Sequence, residues 1–100
     1  MSKFLVTYLG GTPPSDPAQA ARMRDAFEDW LARSGKAVVD PGAPLRPGTQ
    51  VAKGTPEPKV PVGGWSVIEA PDIEAAVAVL NSHPFVARGG TLQVDEAVGI

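Results

Sequence analysis

Between Pro41 and Gly64 the chain carries six prolines and five glycines in 24 residues. Proline removes a backbone donor and glycine removes conformational restraint, so a stretch this dense in both cannot be regular throughout. It is the loop region of a chain whose 100 residues make one domain. Within the loop only Thr49-Gln50-Val51-Ala52-Lys53 has room for a short, edge-like strand.

The first half opens on Lys3-Phe4-Leu5-Val6-Thr7-Tyr8-Leu9, a β-branched and aromatic run ended by Gly10-Gly11-Thr12-Pro13-Pro14, which reads as a strand. Asp16-Pro17-Ala18-Gln19 then offers an N-cap, a proline at the first helical position and a glutamine three residues past the cap. Met23, Phe27, Trp30 and Leu31 follow on one stripe of that helix, and Gly35 suits its left-handed end. Ala37-Val38-Val39 makes a short second strand, stopped by Pro41 and Gly42.

Beyond the loop, no internal repeat is visible. Trp65 to Ala70 reads as a strand, Asp72 caps a helix whose apolar positions are Ile73, Ala76, Val77 and Leu80, and Pro84 forces His83 out of helical geometry. Thr91 to Ala97 is the last strand. The resulting β-α-β-(β)-β-α-β order predicts one α+β domain over residues 1–100, a ferredoxin-like split β-α-β arrangement with two helices on one face of an antiparallel sheet. Two helices cover one face only. Strand one is apolar on both sides, and Trp65 and Val67 face away from Ile68, so the pattern predicts a second copy over the other face, a homodimer.

Charge and composition exclude several function classes. Nine Lys and Arg against 11 Asp and Glu give a net charge of −2, which lacks the basic footprint of nucleic-acid binding. The absence of cysteine removes zinc-thiolate sites, iron–sulfur clusters and thiol nucleophiles. The longest apolar run, Ala75 to Leu80, is far short of the roughly 20 residues of a membrane span. With no signal-peptide pattern at Met1-Ser2-Lys3, the expectation is a cytoplasmic protein.

The residues that can carry chemistry are few. His83 is the single imidazole and the leading candidate for proton exchange near neutrality, set against a plain helix-end role at the preceding carbonyls. Asp40, leaving the second strand before Pro41-Gly42, is its candidate partner, set against turn capping. Tyr8, Trp65 and Trp30 are candidate ligand-facing rings; for Trp30, on the apolar stripe, core packing is the commoner role. One histidine without a carboxylate cluster is too poor a set for a metal. The Gly10-Gly11-Thr12 turn lacks the lysine of a phosphate loop, and neither Ser66 nor Ser82 sits in a nucleophile elbow.

The run Gly63-Gly64-Trp65-Ser66-Val67-Ile68-Glu69-Ala70-Pro71-Asp72-Ile73-Glu74-Ala75-Ala76 resembles the YCII-related family, including its DGPF-domain branch. Trp30, Leu31 and Gly35, the turn Gly42-Ala43-Pro44-Leu45-Arg46-Pro47, and His83-Pro84-Phe85-Val86 are similar to further family positions, so the resemblance is nearly full-length. It implies a dimeric α/β barrel with a cleft in each protomer between sheet and helices. In some relatives a His and an Asp are proposed as an acid/base pair, and one subgroup removes chloride from a chlorinated hydroxyquinol. Two departures stand out: the family's helix-one histidine would fall near Arg24 to Ala26, where there is none, and the Asp-Gly-Pro-Phe signature is missing from Thr55 to Val62. Together these readings point to a small-molecule-binding protein. Its catalytic form would be a cofactor-independent isomerase or lyase acting on a small cyclic or aromatic compound. The alternative is a non-catalytic dimeric module for a metabolite or a protein partner.

Overall fold

A computed structural model describes residues 1–99. Four strands, β1 (Ser2–Leu9), β2 (Val38–Pro44), β3 (Val62–Ala70) and β4 (Thr91–Glu96), form one sheet in the order β2-β3-β1-β4. Every neighbouring pair is antiparallel. Helix α1 (Pro17–Ser34) connects β1 to β2 through a 3-10 turn at Gly35–Ala37, and α2 (Ile73–Leu80) and the single-turn α3 (Pro84–Ala87) connect β3 to β4. This is the α+β ferredoxin-like arrangement that the element order predicts.

The local signals act as expected at both long helices. Asp16 caps α1 by accepting from the Gln19 N–H at 2.7 Å, and Asp72 caps α2 by accepting from the Ala75 N–H at 2.8 Å. Each acceptor satisfies a donor that the first helical turn cannot pair internally. The two central strands set the buried face: Phe4, Val6, Ser66, Ile68 and Ala70 are buried under the helices, whereas Leu5 is 43% exposed on the other side. Trp30 of α1 and Ala76 and Leu80 of α2 complete the core.

Several expectations are corrected. Thr49–Lys53 forms no strand and lies exposed in the loop. Strand β2 does not stop at Pro41; it continues to Pro44, with register shifts between Val38 and Asp40 and between Asp40 and Ala43. Those irregularities let an edge strand absorb two prolines, since a bulged edge position has no ladder bond to lose. A Cβ on Gly42, at φ +72°, would stand 1.7 Å from the Trp65 carbonyl oxygen, so this close crossing of β2 over β3 admits only glycine. The buried stripe of α2 is also rotated. Ala76 and Leu80 are buried, with Ala75 and Val79 packed beside them, and Ile73 and Val77 remain about two-fifths exposed. Finally, α2 ends at Leu80, and the chain begins a new helical turn, α3, at Pro84, where a plain loop is the expectation from sequence.

Candidate functional site

His83 sits between α2 and α3 with an extended ψ of 132°, the conformation a following proline imposes. Its backbone N–H reaches back to the Leu80 carbonyl at 3.0 Å. Its ring turns the other way: Nδ1 accepts from the Phe85 N–H at 3.0 Å, so the imidazole is the N-cap of α3. The side chain is buried, 1% exposed, against the rings of Trp30 (centroids 4.4 Å apart), Tyr8 (5.1 Å, edge-on) and Phe27 (5.6 Å).

These bonds fix where every proton lies. An amide N–H can only donate, so Nδ1 is unprotonated and the ring proton is on Nε2. Nε2 is 2.9 Å from the Tyr8 hydroxyl, which is 2.9 Å from Ser66 Oγ, and Ser66 donates to the Pro41 carbonyl at 2.8 Å. A carbonyl can only accept. The chain therefore runs one way: His83 donates to Tyr8, Tyr8 to Ser66, and Ser66 to Pro41. Among the described residues no buried side-chain polar atom lacks a partner, so the network is closed.

Electrostatics hold it neutral. Burial, with a smaller push from the Arg88 guanidinium, lowers the His83 pKa to about 4. Burial also raises the Tyr8 phenol above its ordinary value, opposed by its hydrogen bond with Ser66. At neutral pH a proton added to His83 would have to enter at Nδ1, against the Phe85 N–H. The far end of the chain is a backbone carbonyl with no proton to release. The arrangement is suited to holding the Tyr8 hydroxyl in one orientation.

Tyr8 and His83 form the floor of a cleft of about 300 Å³ at the end of the sheet where Gly42, Gly63 and Gly64 lie. Met23, Arg24 and Phe27 of α1 wall one side, and Pro84, Phe85 and Arg88 wall another. Phe85 packs on Tyr8 with centroids 5.1 Å apart. It fits between Gly11 and Gly90, where added Cβ atoms would come within 2.7 and 2.4 Å of its ring.

Of the residues singled out from sequence, the structure brings His83 and Tyr8 into direct contact. Asp40 is elsewhere: it is exposed, its carboxylate accepts from the Gly42 N–H at 2.9 Å, and it is not among the cleft-lining residues. Turn capping is its observed role, and the partner expected at Asp40 is Tyr8 instead. Trp65 borders the cleft, but its pairing with Thr7 sends the indole to the uncovered face of the sheet. Trp30 is a core residue, fully buried, with its indole N–H 3.3 Å from the Val79 carbonyl. Ser66, Arg24, Phe27, Phe85 and Arg88 were missed. Ser66 did leave a signal, since a serine two residues before Ile68 on the same face of β3 is a buried hydroxyl in need of partners.

No family model matches the sequence, and no curated protein matches it. Among solved structures, the chain is similar to 5-chloro-2-hydroxyhydroquinone dehydrochlorinase from Burkholderia phenoliruptrix AC1100, solved in complex with 2,5-dihydroxybenzoquinone. The TM-score is 0.54 at 17% sequence identity, over 91% of this chain and 90% of that one. At that identity the likeness is one of fold, and it is the same fold that the strand order and helix placement give independently.

Proposed function

We propose that the chain is a small-molecule-binding protein of the YCII-related type, active as a homodimer, whose cleft takes a planar cyclic compound without a cofactor. The observation that carries this reading is the cleft itself. It is a cavity near the lower end of ligand-site volumes, walled by Phe27 and Phe85 and floored by a hydroxyl held rigid by a closed network. Flat apolar walls select a ring, and one fixed polar group orients it. The ligand of the dehydrochlorinase of similar fold is also a single substituted ring, which supports the same choice. The dimer is supported by the uncovered sheet face, where Leu5 and Val67 pair directly and Trp65 lies one pair along.

A catalytic form of this reading, a cofactor-independent isomerase or lyase, has one observation in its favour: Tyr8 is held at the cleft floor by two neighbours. In that form Tyr8, whose own proton is given to Ser66, accepts a hydrogen bond from the ligand, and His83 positions Tyr8, because Tyr8 is the less buried of the two. Termination of the network on the Pro41 carbonyl favours binding without turnover.

A thermal-shift screen against phenols, lactones and small hydroxy acids tests the proposal. A ligand at about 100 times its Kd stabilises the folded state by about 2.7 kcal/mol. Met23→Trp, which narrows the cleft, should abolish that shift. Absence of any shift across the screen, or a shift that Met23→Trp leaves intact, would overturn the assignment.

A further inference from the structure

The charges around the cleft run against the composition of the chain. Acidic residues outnumber Lys and Arg by 11 to 9, yet among the described residues the lining includes Arg24 and Arg88 and no carboxylate. The two guanidiniums come from different elements, Arg24 from α1 and Arg88 from the end of α3. Their common neighbour is the cavity between them. The Arg88 guanidinium lies over the Phe85 ring, 5.9 Å from its centre, and the side chain is exposed. A cation over an aromatic face beside an apolar slot fits a ligand with a flat body and an anionic end. No carboxylate among the described lining residues opposes that positive field.

We infer that the ligand of this cleft is an anion, a single planar ring bearing a carboxylate, with the ring between Phe27 and Phe85 and the carboxylate at Arg24 and Arg88. This rests on the cleft being a ligand site. A carboxylate fits better than a phosphate for a structural reason. Phosphate sites use clusters of free backbone N–H groups, and here the Phe85 N–H is already given to His83 while Pro84 has none. A carboxylate needs only the planar forks, which it can meet with two parallel hydrogen bonds.

The test uses the whole protein and matched probes: benzoate, salicylate and 4-hydroxybenzoate, each beside its uncharged carboxamide, with phenyl phosphate as a separate arm. Calorimetric titration should give each carboxylate about tenfold tighter binding than its carboxamide, the scale of hydrogen bonds to a charged group. The preference should shrink as salt rises, because the guanidiniums are exposed. Arg24→Gln and Arg88→Gln should each weaken the carboxylates about threefold to tenfold more than their carboxamides, with Arg88→Lys as a second variant should the glutamine form melt early. Equal binding of carboxylates and carboxamides would overturn the anionic assignment and leave the cleft reading standing. Tighter binding of phenyl phosphate than of benzoate would overturn the choice of carboxylate. Failure of every probe, charged and uncharged, would remove both readings together.

Discussion

The low proton affinity of His83 makes folding stability depend on pH. In the folded chain the imidazole protonates only near pH 4, whereas a free imidazole does so near 6.5. Between those values the unfolded chain holds more protons than the folded one, so stability rises with pH across the window and is lost as pH falls through it. The full difference corresponds to about 3 kcal/mol, of which about 2 kcal/mol falls between pH 7 and pH 5. Ordinary carboxylates titrate mostly below that interval, which isolates the histidine. Urea unfolding at pH 7, 6 and 5 should show the loss directly. His83→Gln supplies the control: it removes the cap on Phe85, the bond to Tyr8 and the packing on Trp30, and should lower stability at pH 7 by about 2–4 kcal/mol. Its stability should then be nearly flat from pH 7 to pH 5. A wild-type protein equally stable at both values, or a variant with the wild-type slope, would refute the account of a neutral, sealed imidazole.

Tyr8→Phe should cost about 1–3 kcal/mol, because it leaves the His83 Nε2–H buried without an acceptor. A double-mutant cycle with Ser66→Ala by urea unfolding should show coupling of about 0.5–3 kcal/mol, and additive losses would mean the three side chains do not act as a unit. Gly42→Ala places a methyl 1.7 Å from the Trp65 carbonyl oxygen and should cost more than about 2 kcal/mol or prevent folding, whereas Gly48→Ala, with open space around it, should be close to neutral in the same melts. Light scattering at micromolar concentration should give a dimer mass, and Leu5→Lys, which puts a charge on the uncovered face, should give a monomer; a wild-type monomer would remove the dimer.

The elements were legible in sequence where local chemistry decides them. Asp16-Pro17 and Asp72 mark helix starts by themselves, and the alternation in β1 and β3 fixes which side chains share a face. What was not legible depends on partners far along the chain. The histidine bonds to a tyrosine 75 residues away, and no spacing rule links them. Asp40 is the partner the sequence suggests for it, and the bulges of β2 direct the Asp40 carboxylate to its own turn instead. The same bulges were invisible because Pro41 and Gly42 ordinarily end a strand. α3 escaped notice because its cap is an imidazole, a role usually filled by Ser, Thr, Asp or Asn. The cleft walls were missed for a simpler reason: Arg24 and Arg88 look like ordinary solvated charges until α1 and α3 are set on either side of one cavity.

The uneven edges of the sheet bear on how these chains behave at high concentration. An open antiparallel sheet has two free borders, and a molecule whose borders can pair with each other is able to polymerise without limit. Here one border is β2, broken by its bulges and by Pro41 and Pro44, and a strand laid along it would find an interrupted row of donors. The other is β4, regular from Thr91 to Glu96. A β4 border can join another β4 border across a two-fold axis, but that union leaves only the two broken borders outward. Strand pairing alone therefore joins no more than two chains edge to edge, and Pro41, whose carbonyl also anchors the hydrogen-bond chain beneath the cleft, is one of the residues that interrupts the other border.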